Sequence, residues 1–194
     1  MLGLLLIVGI GTLSRGLDLN LYALLTLLGA TEGIVLGVAQ WIVLRHYIRH
    51  SGWWILATSI GATIAWFAGL FVSTVLAIAT VRSSPSQQAA LLLPGIMMQG
   101  VGVGILLGYA QWLVLQSHIR HQIWLKTIGW LVANVAAWVL ALFIAFMGTG
   151  QLESTSPFNL KTAMTAAITG GAMGAIVGTI TGIALVWLIK PRSA

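Results

Sequence analysis

Long uninterrupted apolar runs separated by short polar segments dominate this chain. Five stand out, over 21–44, 53–80, 89–115, 124–148 and 161–189. Each exceeds the roughly 20 residues that a helix rising 1.5 Å per residue needs to cross a hydrocarbon core of about 30 Å. The apolar positions are continuous rather than alternating, which argues against strands. In lipid every backbone N–H and C=O has to find a partner within the chain, and a helix supplies all of them locally. The pattern predicts an all-α bundle of five transmembrane helices joined by short loops. A further run, Leu2 to Leu13, is too short to cross comfortably. No basic residue precedes it and no small-residue cleavage site follows it, so it makes a poor signal peptide. The expectation for 1–20 is a short interfacial or partly inserted helix, with a tight sixth span or a processed segment as the alternatives.

Composition sharpens this picture. Of 194 residues, 59% are hydrophobic and 6% are charged, against about 25% charged in an ordinary soluble domain. Too few polar groups are present to cover a water-exposed surface, so lipid is the solvent. The net charge of +6 does not form the solvated basic face that nucleic-acid binding needs. It follows the loops instead. Arg45, Arg49, Arg120, Lys126, Lys190 and Arg192 fall on one side of the membrane, and Arg15, Arg82 and Lys161 oppose Asp18 and Glu153 on the other. The positive-inside rule assigns the 45–52 and 116–123 loops and the C-terminus to the cytoplasm of a bacterial inner or internal membrane. The 83–88 and 150–159 loops, with Pro85 and Ser154–Pro157, read as turn chemistry on the opposite side. Trp41, Trp53, Trp54, Trp112, Trp124 and Trp187 lie at the cytoplasmic ends of the spans, as an aromatic belt would.

The chain also repeats itself. Residues 29–53, GATEGIVLGVAQWIVLRHYIRHSGW, match residues 100–124, GVGVGILLGYAQWLVLQSHIRHQIW, at a shift of 71. Gly29, Gly33, Gly37, Gln40, Trp41, Val43, Leu44, Ile48, Arg49, His50 and Trp53 all recur. Residues 21–80 and 89–148 are therefore two parallel hairpin repeats, and 161–189 is a closing helix that resembles a degenerate third half, all within one membrane domain. Two spans per repeat put both copies in the same orientation, about a pseudo-two-fold axis along the membrane normal. Glycines recur every four residues in each odd span: Gly29, Gly33 and Gly37; Gly100, Gly104 and Gly108; Gly170, Gly174 and Gly178. Such stripes let helix backbones approach closely. The simplest arrangement puts spans one, three and five at the centre and spans two and four outside. A stripe that admits a flat pigment ring is the functional alternative.

The pattern GxxxGxxxGxxQW[IL]VL, a short basic loop and a Trp opening the next span resembles a group of small bacterial polytopic membrane proteins without an assigned activity. The resemblance covers 29–68 and 100–140. It implies an architecture and transfers no site residues.

Few side chains can carry chemistry. Glu32 lies 12 residues before Leu44, at roughly 18 Å by helical rise, close to mid-membrane. Its repeat partner is Val103, so hairpin packing does not require the acid. Such a carboxyl contacts a proton, cation, ligand or partner protein, or is a neutral acid bonded to a neighbouring helix. Asn134 sits at similar depth, with Thr63 as its approximate counterpart, and a Glu32–Asn134 contact is one arrangement to test. Gln40 and Gln111 are repeat mates that can exchange amide hydrogen bonds across the pseudo-two-fold, as interhelical glue or as a polar constriction. His46, His50, His118 and His121 cluster near the basic loops. They invite a metal, haem or pigment reading, against which stand their position outside the spans and the lack of acidic and cysteine co-ligands. Motifs for a metalloprotease, a serine hydrolase or a phosphate-binding loop are lacking. The reading is a non-enzymatic accessory subunit of a larger membrane complex, photosynthetic or respiratory complexes being candidates, with other membrane proteins or further copies as partners and lipid as the ligand. A small transporter or substrate-binding component with a mid-membrane acid, and a haem- or pigment-binding protein, are the rivals.

Overall fold

The computed structural model describes residues 21–48, 51–81, 83–118, 123–149 and 160–189. The expectations for 1–20, the 150–159 loop, His50, His121 and the charges Arg15, Asp18, Arg49, Arg82, Arg120, Glu153, Lys190 and Arg192 lie outside them. Five helices carry the described chain: α1, Leu21–Leu44; α2, Trp53–Thr80; α3, Pro85–Leu115; α4, Ile123–Thr149; and α5, Leu160–Ile189. A single 3₁₀ turn, Gln116–His118, follows α3. All five helices are long and apolar enough to span a bilayer. Their outer faces expose large apolar side chains such as Phe71, Ile78, Ile128 and Ile168. Apolar surface on this scale is stable only against lipid, and the chain is an integral membrane protein.

One helix starts earlier than the apolar pattern suggests. The 83–88 segment is not all turn, since α3 begins at Pro85. Ser84 Oγ accepts from the Gln87 N–H at 3.4 Å, and Gln87 Oε1 accepts from the Ser84 N–H at 2.9 Å. This capping box satisfies two N–H groups that a helix start leaves over, and proline at the first helical position has no N–H to satisfy.

The helices form a row in chain order, not three central and two peripheral spans. α1 packs on α2, α2 on α3, α3 on α4 and α4 on α5. The glycines explain this order. A Cβ on Gly29 would sit 2.6 Å from the Thr63 Cα, and one on Gly33 would collide with the Ser59 backbone, both on α2. A Cβ on Gly100 or Gly104 would sit 2.6 or 2.5 Å from the Cα of Val139 or Val135 on α4. The stripes of α1 and α3 therefore hold the second helix of their own hairpin rather than each other. The stripe of α5 holds nothing described: a Cβ at Gly171, Gly174, Gly178 or Gly182 would meet no atom within 4 Å. Packing thus fails as the role of Gly174 and Gly178 within the chain, whereas Gly170, a turn earlier, is buried.

Each odd helix has a second packing flank. In α3 it is Gln99, Leu107 and Ala110, which lie under Gly69 and Gly61 of α2. In α5 it is Thr169, Met173, Val177 and Ile180, which meet Gly148, Ala137, Trp138 and Ala141 of α4. So each even helix is clasped between the glycine face of one odd helix and the flank of the next.

The core concentrates at the Arg45 end. Leu44, Ile48, Trp54, Trp112, Leu115, Trp130 and Leu188 form one buried cluster there. This corrects the aromatic-belt expectation for two residues. Trp54 and Trp112 are 1% and 5% exposed, whereas Trp53 and Trp124 are 65% and 81% exposed and fit an interfacial position. An indole can leave the belt when its N–H finds an internal acceptor, and Trp54 has one, described below. Lys126 also lies partly inside: its Nζ donates to the Leu188 carbonyl at 2.8 Å, satisfying an acceptor that the last turn of α5 leaves over.

The two kinds of glycine should separate in a stability measurement. Gly104→Ala should lose about 1–3 kcal/mol through overpacking. Gly178→Ala should leave stability unchanged or slightly raised, since alanine is the better helix former by up to about 1 kcal/mol. Thermal unfolding of both variants in detergent, followed by near-UV circular dichroism, checks this; equal losses would mean that the α5 stripe is covered within the chain.

Candidate functional site

Two polar clusters lie within the apolar bundle. The first joins α1 to α2. Trp66 Nε1 donates to Glu32 Oε2 at 2.8 Å. One turn along, Ser59 Oγ donates to the Ala30 carbonyl at 3.1 Å, and Thr63 Oγ1 donates to the Ser59 carbonyl at 2.9 Å. Glu32 is half-buried beside the glycine stripe, so its carboxyl is held by one indole rather than sealed on all sides.

The second cluster ties the two hairpins together. Gln40 Oε1 accepts from Trp54 Nε1 at 2.8 Å and from Gln111 Nε2 at 3.0 Å. Gln111 Nε2 also donates to Thr58 Oγ1 at 3.2 Å. The amide orientations follow from chemistry: an indole N–H only donates, so Gln40 presents its oxygen, and Gln111 must then offer its nitrogen. Gln111, Thr58 and Trp54 are all at most 2% exposed. Gln111 Oε1 is the buried side-chain acceptor left without a hydrogen bond among the described residues.

Asn134 does not meet Glu32. It lies in the α3–α4 interface, against Gly108, and its Nδ2 donates to the Trp130 carbonyl at 3.1 Å. Its counterpart in the packing is Thr58, not Thr63. The buried positions of α2 are Trp54, Thr58, Gly61 and Ala65, and those of α4 are Trp130, Asn134, Ala137 and Ala141. Their spacing is identical, at a shift of 76 rather than 71. A slip of five residues between the first and second helices of the repeat therefore makes Trp130 the mate of Trp54. The two rings meet edge to face at 5.9 Å and 65°. They differ in their acceptor: Trp130 Nε1 reaches the Gly108 carbonyl at 2.9 Å, whereas Trp54 uses Gln40. That difference leaves the Gln111 oxygen free. The sequence signal for Trp130 and Thr58 was the shared spacing, which the search for identical residues passed over.

The histidines come together only in part. His46 is exposed, with Nδ1 3.3 Å from the Val43 carbonyl. His118 ends the 3₁₀ turn. No group of three or more potential metal ligands exists among the described residues. Nearby, the Arg45 guanidinium lies 5.3 Å from the centre of the Trp41 ring, a cation–π contact at the end of α1.

In sum, the glutamine cluster offers buried amides and indoles, which suits cohesion, and Glu32 offers a carboxyl at mid-depth with one side open. A scan against protein-family models, a search of curated proteins and a search of solved structures each returned no match, so the site is read from its own chemistry.

A double-mutant cycle on the glutamines checks their role as glue. Gln40→Leu strips acceptors from Trp54 and Gln111 and should cost about 1–3 kcal/mol, as buried donors left unsatisfied do. The Gln40→Leu/Gln111→Leu double variant should cost less than the two single variants added, with a coupling of about 0.6–1.7 kcal/mol, the range found for hydrogen bonds between membrane helices. Strict additivity in reversible unfolding would mean that the amide pair contributes nothing.

Proposed function

We propose that this chain is a non-enzymatic membrane subunit that docks on a larger membrane assembly through the outer face of α5. The observation that carries this is the uncovered glycine face. Equivalent glycines in α1 and α3 each hold a helix at backbone contact, while Gly171, Gly174 and Gly178 meet no atom within 4 Å. In lipid the drive for helix association is close packing rather than apolar burial, and small-residue faces gain most from it. Neighbouring Ile168, Ile183 and Val186, all more than 60% exposed, provide ridges beside that groove. Under this reading the basic Arg45 end faces the cytoplasm of a bacterial inner or internal membrane. The buried clusters then keep the row rigid so that its end helix presents one fixed surface.

The mid-depth carboxyl of Glu32 supports a second reading, a small transporter in which Glu32 carries a proton or cation. The half-buried setting of the residue and its bond to Trp66 are what favour it.

Purification from native membranes in mild detergent tests the first reading. The wild-type chain should elute with stoichiometric membrane proteins, and Gly178→Leu should lose them while unfolding at the wild-type temperature. A variant that keeps every partner would remove α5 as the docking face. A wild-type chain that elutes alone would shift the assignment to transport, where Glu32→Gln is the substitution to assay. The visible spectrum of the same fraction reports whether haem or pigment accompanies the chain.

A further inference from the structure

The row has a second open edge, on α1. The flank by which α3 and α5 receive the preceding helix corresponds in α1 to Leu28, Glu32, Leu36 and Ala39, which match Gln99, Val103, Leu107 and Ala110 at the repeat shift. Their spacing places them on one helix face. No helix described here precedes α1, and α2 packs on its glycine face. Leu28 is nevertheless only 2% exposed, as Leu107 is beneath α2, and Glu32 and Leu36 are half-buried. We infer that the flank of α1 is the docking site of the chain's own N-terminal segment, residues 2–13, which covers Glu32 from lipid.

Three observations carry this. The first is where the remaining chain lies. Twenty residues precede α1 directly, and their apolar run ends at Leu13, leaving Ser14 to Asn20 to reverse direction. Twelve residues of helix rise about 18 Å. Eleven residues separate Leu21 from Glu32, about 16 Å on the same scale, so the run reaches the carboxyl and a little beyond. The second is register. α2 meets the α3 flank through Gly61, against Leu107 and Ala110, and through Gly69, against Gln99. Gly3 and Gly11 have the same spacing of eight. Antiparallel packing in the same register puts Gly11 opposite Leu28, Gly3 opposite Leu36 and Ile7 opposite Glu32. The third is continuity, because α2 on α3 and α4 on α5 already show how such a flank is filled in this chain.

The segment thus acts as a half-length cover over the mid-membrane acid, and α1 becomes an inner helix of the row. This is independent of docking through α5, which uses the opposite edge.

Disulfide trapping in the full chain tests the proposal cleanly, because the protein has no cysteine. The variants Ile7→Cys/Glu32→Cys and Leu4→Cys/Val35→Cys replace large side chains by a smaller one and avoid the glycines. The second pair keeps Glu32 and its bond to Trp66. Both are oxidised with copper phenanthroline in native membranes, beside Ile7→Cys/Ile34→Cys, whose second position lies on another face of α1. Most of each test pair should convert to a monomer-sized product that dithiothreitol reverses, and the control should convert several-fold less. Three results would overturn the assignment: no product from either test pair, equal yield in the control, or products of twice the monomer mass. The last would mean that a second copy covers the flank.

Discussion

Backbone contact between helices is the constraint on which this structure rests. A bilayer supplies almost no drive to press one apolar helix on another, so association depends on how closely two backbones can come. Glycine every fourth residue on α1 and α3 allows α2 and α4 to approach until their Cα atoms occupy the space where a Cβ would stand. Everything else adjusts to that approach. The even helices are clasped on both sides, the row runs in chain order, and the two edges of the row are left with faces of opposite kind.

Within this frame the polar side chains divide by task. Gln40, Trp54, Gln111 and Thr58 join the two hairpins beneath a plug of leucine and tryptophan. Their bonds are directional, so they fix the rotation of helices whose apolar surfaces alone would tolerate several arrangements. Glu32 stands apart from this network. Its single described partner, Trp66, belongs to the same hairpin, and nothing in the second hairpin repeats it.

Much of this was legible from residues alone. Continuous apolar runs gave the helices, because lipid leaves a chain few choices. Depth along the span located Glu32, and the repeat paired Gln40 with Gln111. The serial row was not legible, since a glycine stripe says that some helix comes close and not which one. The five-residue slip was also hidden. Identity between the repeats holds through Trp53 and Trp124, which face outward and are free to keep the same spacing. Packing instead selects Trp54 and Trp130, because these head the small-residue series that faces the glycines. The start of α3 is a different case: Ser84, Pro85 and Gln87 spell a capping box, and loop-like composition masked it.

Lys126 illustrates how one side chain can serve two masters. By its place in the loop it belongs to the cations that bias the direction in which a membrane chain inserts. In the folded row its ammonium grips the carbonyl of Leu188 and finishes the last helix. Insertion and completion are thereby coupled through a single charge. Neutralising that amine, by acetylation for example, would loosen the end of α5 as well as weaken the orientation signal, so a change made at a loop would be felt at the far edge of the row.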